Sequence, residues 1–160
     1  MKTRIFSILC QNIPGVMMRI TRDFTRRQIN LDSITVGVEP SGLARIILMF
    51  NADDHMAEFM QKVLARLEPI LSVEAIDQSN SVVRVVALIK TKKLVGKDHW
   101  DVVNKIERAG GKIVDTKEGA IVAEVSGAPE EVERIINALG PQVITEVARS
   151  GRVYVSKNIG

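Results

Sequence analysis

The sequence is poor in the residues that usually carry chemistry. Among 160 residues there is one cysteine, Cys10, and there are two histidines, His55 and His99. A single cysteine excludes an internal disulfide; a free thiol within a strand suits a reducing cytoplasm and packs as a small apolar group. Each histidine stands at the polar start of an expected helix, beside acids. No Cys-x-x-Cys, His-Glu-x-x-His or phosphate-loop pattern accompanies them, so no metal and no nucleotide cofactor is expected on this chain. No Gly-x-Ser-x-Gly elbow occurs, and Cys10 has no candidate base near it. The carboxylate pairs Asp53-Asp54 and Glu130-Glu131 fall at expected helix starts, where the helix dipole accounts for them. The expectation is a chain with no catalytic residues.

Long apolar runs are missing too. None reaches the roughly 18 residues needed to span a bilayer. The first dozen residues alternate apolar with polar and lack a small-residue cleavage site, which reads as a strand rather than a signal peptide. A cytoplasmic protein with no membrane partner is expected. Aromatics are only 4% of the chain, so the core must be mainly aliphatic.

What is abundant is aliphatic periodicity, with hydrophobic residues at 46%. Alternation predicts a strand over 5–11, and Val16, Met17, Ile20 and Phe24 follow at helical spacing. Strands are expected over 30–38 and 43–50, with a turn at Pro40-Ser41-Gly42. Asp53 or Asp54 caps a helix with the stripe Met56, Phe59, Met60, Val63, Leu64 and Leu67; Pro69 ends it, and a strand covers 70–76. A polar stretch over 77–81 reads as a linker, and the order then repeats. The second round has a strand over 82–89 and a helix capped by Asp98 with Trp100, Val103 and Ile106 inward, stopped by Gly110-Gly111. Strands over 112–115 and 120–125 flank the turn Lys117-Glu118-Gly119. A helix then opens at Pro129 and is ended by Gly140-Pro141, and strands are expected over 143–148 and 152–155.

Two βαββαβ rounds imply an α+β chain of two tandem ferredoxin-like modules, each with helices on one face of an antiparallel sheet. The runs 46–50 and 85–89 are apolar on both faces, which predicts a cover over the second face and hence oligomerisation. Net charge is +3. Basic and acidic side chains number nine and nine over 1–78 but thirteen and ten over 79–160, with Lys90, Lys92, Lys93 and Lys97 grouped. Either an acidic partner surface or a solvated lysine-rich loop accounts for that excess. A nucleic-acid-binding double module is the alternative class, but base-stacking sheets of this topology carry aromatics on central strands. Here the third strand has one aromatic, at its end, and 120–125 has none. No nucleic acid partner is expected.

One loop stands out. Asn12-Ile13-Pro14-Gly15 joins the first strand to the first helix, where free backbone N–H groups and the helix dipole favour an anion. Glycine admits a ligand close to the backbone, proline fits a first helical turn, and asparagine caps the helix or offers a carbonyl oxygen to an ammonium. Such a junction suits the carboxylate and ammonium of a free amino acid; an ordinary capped helix start has the same composition.

The run Ser7-Ile8-Leu9-Cys10-Gln11-Asn12-Ile13-Pro14-Gly15-Val16, followed by Arg19, Arg26-Arg27 and Ile29-Asn30-Leu31-Asp32-Ser33-Ile34-Thr35-Val36-Gly37, resembles the regulatory small subunit of acetolactate synthase (acetohydroxyacid synthase). Lys112-Ile113-Val114-Asp115 and Glu146-Val147-Ala148-Arg149-Ser150-Gly151 resemble the same family near its other end. The resemblance implies an N-terminal ACT domain over 3–77, for effector binding and dimerisation, and a C-terminal ferredoxin-like domain over 82–158. It implies a homodimer that activates a separate large catalytic subunit and confers feedback inhibition by valine, or another branched-chain amino acid, bound at the ACT dimer interface. Thiamine diphosphate, FAD and magnesium belong, on the same resemblance, to the catalytic subunit of branched-chain amino acid biosynthesis. Carried over by position, the effector residues are Asn12, Ile13, Gly15, Val16 and Met17, completed by Asn30 and Leu31 of a neighbouring subunit. Gln11 stands where the family usually has an acid, Gln28 where it often has glycine, and Met17 where leucine is common.

Overall fold

Alternating apolar side chains give the first half its strands, and stripes at helical spacing give it its helices. The computed structural model describes residues 1–157. The first round comprises β1 (Lys2–Cys10), α1 (Val16–Thr25), β2 (Leu31–Val38), β3 (Ala44–Ala52), α2 (Asp54–Ala65) and β4 (Ile70–Ala75). The second comprises β5 (Ser81–Thr91), α3 (Gly96–Arg108), β6 (Lys112–Lys117), β7 (Ala120–Gly127), α4 (Pro129–Leu139), β8 (Ile144–Arg149) and β9 (Val153–Ser156). The architecture is the expected α+β pair of βαββαβ modules. Two compact units result, Met1–Val82 together with the chain from Arg152 on, and Val83–Gly151. The expected second module over 82–158 ends at Asn158, which lies outside the described residues.

The first sheet is antiparallel with strand order β2-β3-β1-β4, so β2 is an edge. Register assigns the faces. Ile34, Leu48 and Phe6 line up on the helix-covered face; Thr35, Ile47 and Ser7 line up on the other. Phe6 and Phe24 each meet Phe50 edge-on, with centroids 4.9 and 5.0 Å apart, which locks α1 onto the sheet. Each such pair adds about 0.5–1.5 kcal/mol beyond its burial. The second sheet has order β6-β7-β5-β8, with β9 also pairing β5. Its core is Val85, Ala87, Ile89, Val102, Ile106, Ile121 and their neighbours, without an aromatic.

Several expectations are corrected. Phe59 is exposed rather than core, because Ala57, Met60 and Leu64 already fill the α2 contact; the Arg27 guanidinium lies over its ring at 5.0 Å. Trp100 is likewise exposed, and Val102 and Ile106 face inward in α3. Val95, not Asp98, precedes α3; Asp98 sits in its first turn. The stretch over 77–81 is an ordered 3-10 turn, in which Asp77 Oδ1 accepts from the Ser79 N–H at 2.9 Å and its hydroxyl at 2.7 Å. Those bonds hold the Asp77 carboxyl below the usual carboxylate range. Ile47 is buried on the second face of the first sheet, whereas Val86 and Leu88 on the matching face of the second are more than 40% exposed. Among the described residues no helix is long and apolar enough to cross a membrane.

Candidate ligand-binding site

The loop between β1 and α1 is built to leave backbone donors free. The Gln11 N–H is anchored on the Pro69 carbonyl at 2.8 Å, and the chain then turns away from the sheet. Gly15 is the residue before α1, in the left-handed region at φ +86°, with nothing within 4 Å of where a Cβ would stand. The first bond into the helix runs from Arg19 N–H to Gly15 O at 3.1 Å. The amides of Val16, Met17 and Met18 ahead of it therefore have no acceptor among the described residues. No side chain caps α1, and no acid lies in its first turn. Two expectations change here. Asn12 does not cap the helix, and Pro14 lies ahead of the first turn rather than in it.

The other helices are treated differently. Asp53 Oδ1 accepts from the Met56 N–H at 2.7 Å and caps α2, while Glu131 Oε2 accepts from the Ala128 N–H at 3.0 Å ahead of α4. α3 has Asp98 in its first turn. Of the four α-helices among the described residues, α1 alone presents an N-terminus with neither cap nor acid, which makes it the one disposed towards an outside anion. Asn12, Ile13 and Gly15 are exposed, Met17 is half-buried, and Val16 is buried in the core.

The structure separates the remaining expected residues from this loop. Leu31 pairs with Phe50, which pairs with Arg4, six residues from Cys10 at the loop end of β1. At about 3.3 Å per residue that is roughly 20 Å. Asn30 and Leu31 thus lie at the opposite end of the sheet, and one chain does not bring the two groups together. Leu31 packs against the core, and Asn30 is exposed. The helix-ending turn before them contains Gln28 in the left-handed region at φ 55°, a backbone conformation that favours glycine. The N–H groups of Gln28 and Ile29 bond back to the Thr25 and Phe24 carbonyls at 3.0 and 3.1 Å and hold the turn.

At that end β2 has a bulge between Leu31 and Ser33, so Asp32 faces no residue of β3. Asp32 instead receives the side-chain amides of Asn30 and Asn51, at 2.9 and 2.7 Å. A cavity of about 320 Å³ opens there, lined by Ile29, Asn30, Asp32, Asn51, Ala52 and Met56 among others. Asp32 and Asn51 are absent from the residues expected by sequence; only the bulge and the strand register bring them to Asn30. A larger cavity of about 410 Å³ lies in the second unit between α3 and α4, flanked by Lys105, Glu131 and Arg134. It includes none of the expected residues.

The Cys10 thiol is buried, points at the Ala44 carbonyl, and is pushed up in pKa by that burial, away from nucleophilic reactivity. Among the described residues no cluster of metal-ligating side chains occurs. Phe50, the aromatic that a base-stacking sheet would need, is consumed by the core.

The chain is similar to known proteins over nearly its whole length. Residues 6–72 match the AHAS small subunit-like ACT domain, and residues 84–158 match the small subunit of acetolactate synthase. The acetolactate synthase small subunit of Mycolicibacterium smegmatis is 30% identical over 156 residues, 97% of this chain and 91% of that protein. That of Bacillus subtilis is 33% identical over 150 residues, 92% of this chain and 87% of that one. The crystal structure of the small subunit from Thermotoga maritima superposes with a TM-score of 0.90 at 34% identity, covering 99% of this chain and all of that one. The chain belongs to the family of acetolactate synthase small subunits, regulatory proteins with an N-terminal ACT domain.

Proposed function

We propose that two copies of this chain pair along β2 and bind a branched-chain amino acid, valine foremost, at each end of the seam. The pair would activate a separate large catalytic subunit in the cytoplasm and impose feedback inhibition on it. Thiamine diphosphate, FAD and magnesium are assigned to that catalytic subunit, and this chain contributes no reacting group.

The observation that carries the reading is the bare N-terminus of α1 at Gly15. The free amides of Val16, Met17 and Met18 are suited to a carboxylate, and the open space at Gly15 lets it approach. The side chain of Asn12 has no hydrogen bond among the described residues and is available to a ligand. Pairing is supported by β2 itself. It is an uncovered edge on which Ile34, Val36 and Val38 are 40–64% exposed, an arrangement that invites a further strand. Antiparallel pairing of two β2 edges sets the start of one against the end of the other, and so sets Asn30 and Leu31 beside the partner copy's loop.

Burying a branched aliphatic side chain contributes roughly 1.5–3 kcal/mol, and each hydrogen bond to a charged group roughly 1.5–3 kcal/mol. Net of association costs, a Kd of about 10 μM to 1 mM follows. Coupling of about 1–3 kcal/mol to the catalytic subunit is enough to change its activity visibly. The test is calorimetry with L-valine on the wild type and on Gly15→Asp, followed by addition of each to the catalytic subunit. Saturable binding by the wild type, lost in the variant together with inhibition, is expected. No heat from saturating valine, or equal binding by both proteins, sinks the reading.

A further inference from the structure

The side-chain network at the start of β2 does more than close a bulge. Asn30 Nδ2 donates to Asp32 Oδ1 at 2.9 Å, and Asn51 Nδ2 donates to Asp32 Oδ2 at 2.7 Å. The Thr3 hydroxyl in turn donates to Asn51 Oδ1 at 3.2 Å. Both oxygens of one carboxylate are therefore engaged by amides, one from Asn30 just ahead of β2 and one from Asn51 of β3. The bulge makes this possible, since it leaves Asp32 without a residue opposite and turns its side chain along the end of the sheet.

The chemistry of the acceptor dictates how each amide is turned. An ionised carboxylate has no proton to give, so an amide beside it must present its NH2 group. For Asn51 the carbonyl end is then taken up by Thr3. For Asn30 it is not: among the described residues nothing donates to Asn30 Oδ1. Asn30 is exposed and lines the 320 Å³ cavity, whose apolar wall includes Ile29, Ala52 and Met56.

We infer that Asp32 is a positioning residue for the effector site, fixing the Asn30 amide with its carbonyl oxygen towards the ligand so that the site selects an ammonium. This rests on the effector reading above and gives that site its selectivity. The ligands to be told apart are an α-amino acid and the 2-oxo acid of the same carbon skeleton. Both have a carboxylate for the α1 terminus and the same aliphatic group. Only the amino acid has donors for Asn30 Oδ1; the oxo acid sets a second acceptor against it and leaves both oxygens unpaired. A site built to bond a donor rejects analogues that lack it more strongly than an apolar pocket rejects a change of size. The sensor therefore answers to the aminated end product and not to the oxo acid one transamination earlier.

The experiment is calorimetry with L-valine and with 3-methyl-2-oxobutanoate on four proteins: wild type, Asp32→Asn, Asn30→Ala and the double variant. Wild type should prefer valine by at least about 100-fold. In Asp32→Asn the neighbour both donates and accepts, the Asn30 amide is free to rotate, and the preference should fall below about tenfold through loss of valine affinity. Because Asp32 acts through Asn30, Asp32→Asn should change nothing further in the Asn30→Ala background. A wild-type preference retained by Asp32→Asn overturns the inference, as does an equal effect of that substitution in both backgrounds. Wild type binding neither ligand overturns the effector reading itself, and this inference with it. Thermal melts and sedimentation of all four check that fold and pairing are intact, and the Asn30→Ala background supplies the readout if Asp32→Asn alone is poorly folded.

Discussion

The two units repeat one topology yet differ at the same junction. Gly15 before α1 and Gly96 at the start of α3 both have positive φ, 86° and 58°, with open space where a Cβ would stand. Neither helix has a side-chain cap. Asp98 in the first turn of α3 already answers that helix's dipole, whereas α1 begins Val16-Met17-Met18 with no acid. One acidic side chain thus separates a helix start whose dipole meets a charge of its own chain from one that still calls for an anion. The cores differ as well, with three phenylalanines meeting edge-on in the first and none in the second.

The largest effect expected from this contrast comes from putting the same acid into both junctions. Gly15→Asp should weaken valine binding by roughly 100-fold, about 2.8 kcal/mol, while Gly96→Asp changes it less than about twofold. Calorimetry on the two variants decides it, and comparable losses would erase the distinction between the units. A subtler version gives α1 the feature that α3 already has. Met18 is 74% exposed in the first turn. Met18→Asp should stabilise the chain by about 0.3–1 kcal/mol through the dipole while weakening valine several-fold, opposite signs in denaturation and in titration. If both move the same way, the terminus is not an anion site.

Smaller effects are expected at two non-glycine residues with positive φ, Gln28 in the first unit and Glu118 in the second. Replacing either with glycine should gain about 0.5–1 kcal/mol in denaturant unfolding. A gain at Glu118 with a loss at Gln28 would mean that the turn leading into β2 depends on the glutamine side chain. The smallest effect concerns acid. The Arg4 guanidinium, with Lys2 behind it, holds the exposed Asp54 carboxyl below the usual range. A lowered folded value means that its contribution is complete above the unfolded value of about 3.9 and vanishes as pH falls through the folded one. The small stability difference between wild type and Asp54→Asn should therefore close between pH 5 and strong acid.

Much of the architecture was legible in the sequence because its cause is local. Strand alternation, helical stripes and the turns at Gly42, Gly110 and Gly119 need no distant partner. The expectations that failed depend on width and register. The α2 stripe included Phe59 because spacing identifies a face but not where its burial stops. Trp100 failed for the same reason, since Val102, Val103 and Ile106 already make the inward contacts of α3. The loop from Asn12 to Gly15 was legible as a junction, and its bare amides were not, because asparagine and proline could equally have capped the turn. Asp32 was out of reach altogether. Its meeting with Asn51 requires an extra residue in β2, and nothing in the run Asn30-Leu31-Asp32-Ser33 announces a bulge.

The roughly 20 Å of sheet between the loop end of β1 and the start of β2 has a consequence for dosage. A lone molecule holds two incomplete halves and no whole receptor, so on the proposed reading receptor number rises with the square of chain concentration when pairing is weak. Diluting the subunit in an assay should then shift its metabolite dose–response curve to higher concentrations, and crowding it should restore sensitivity. Such a protein reports its own abundance together with that of the metabolite.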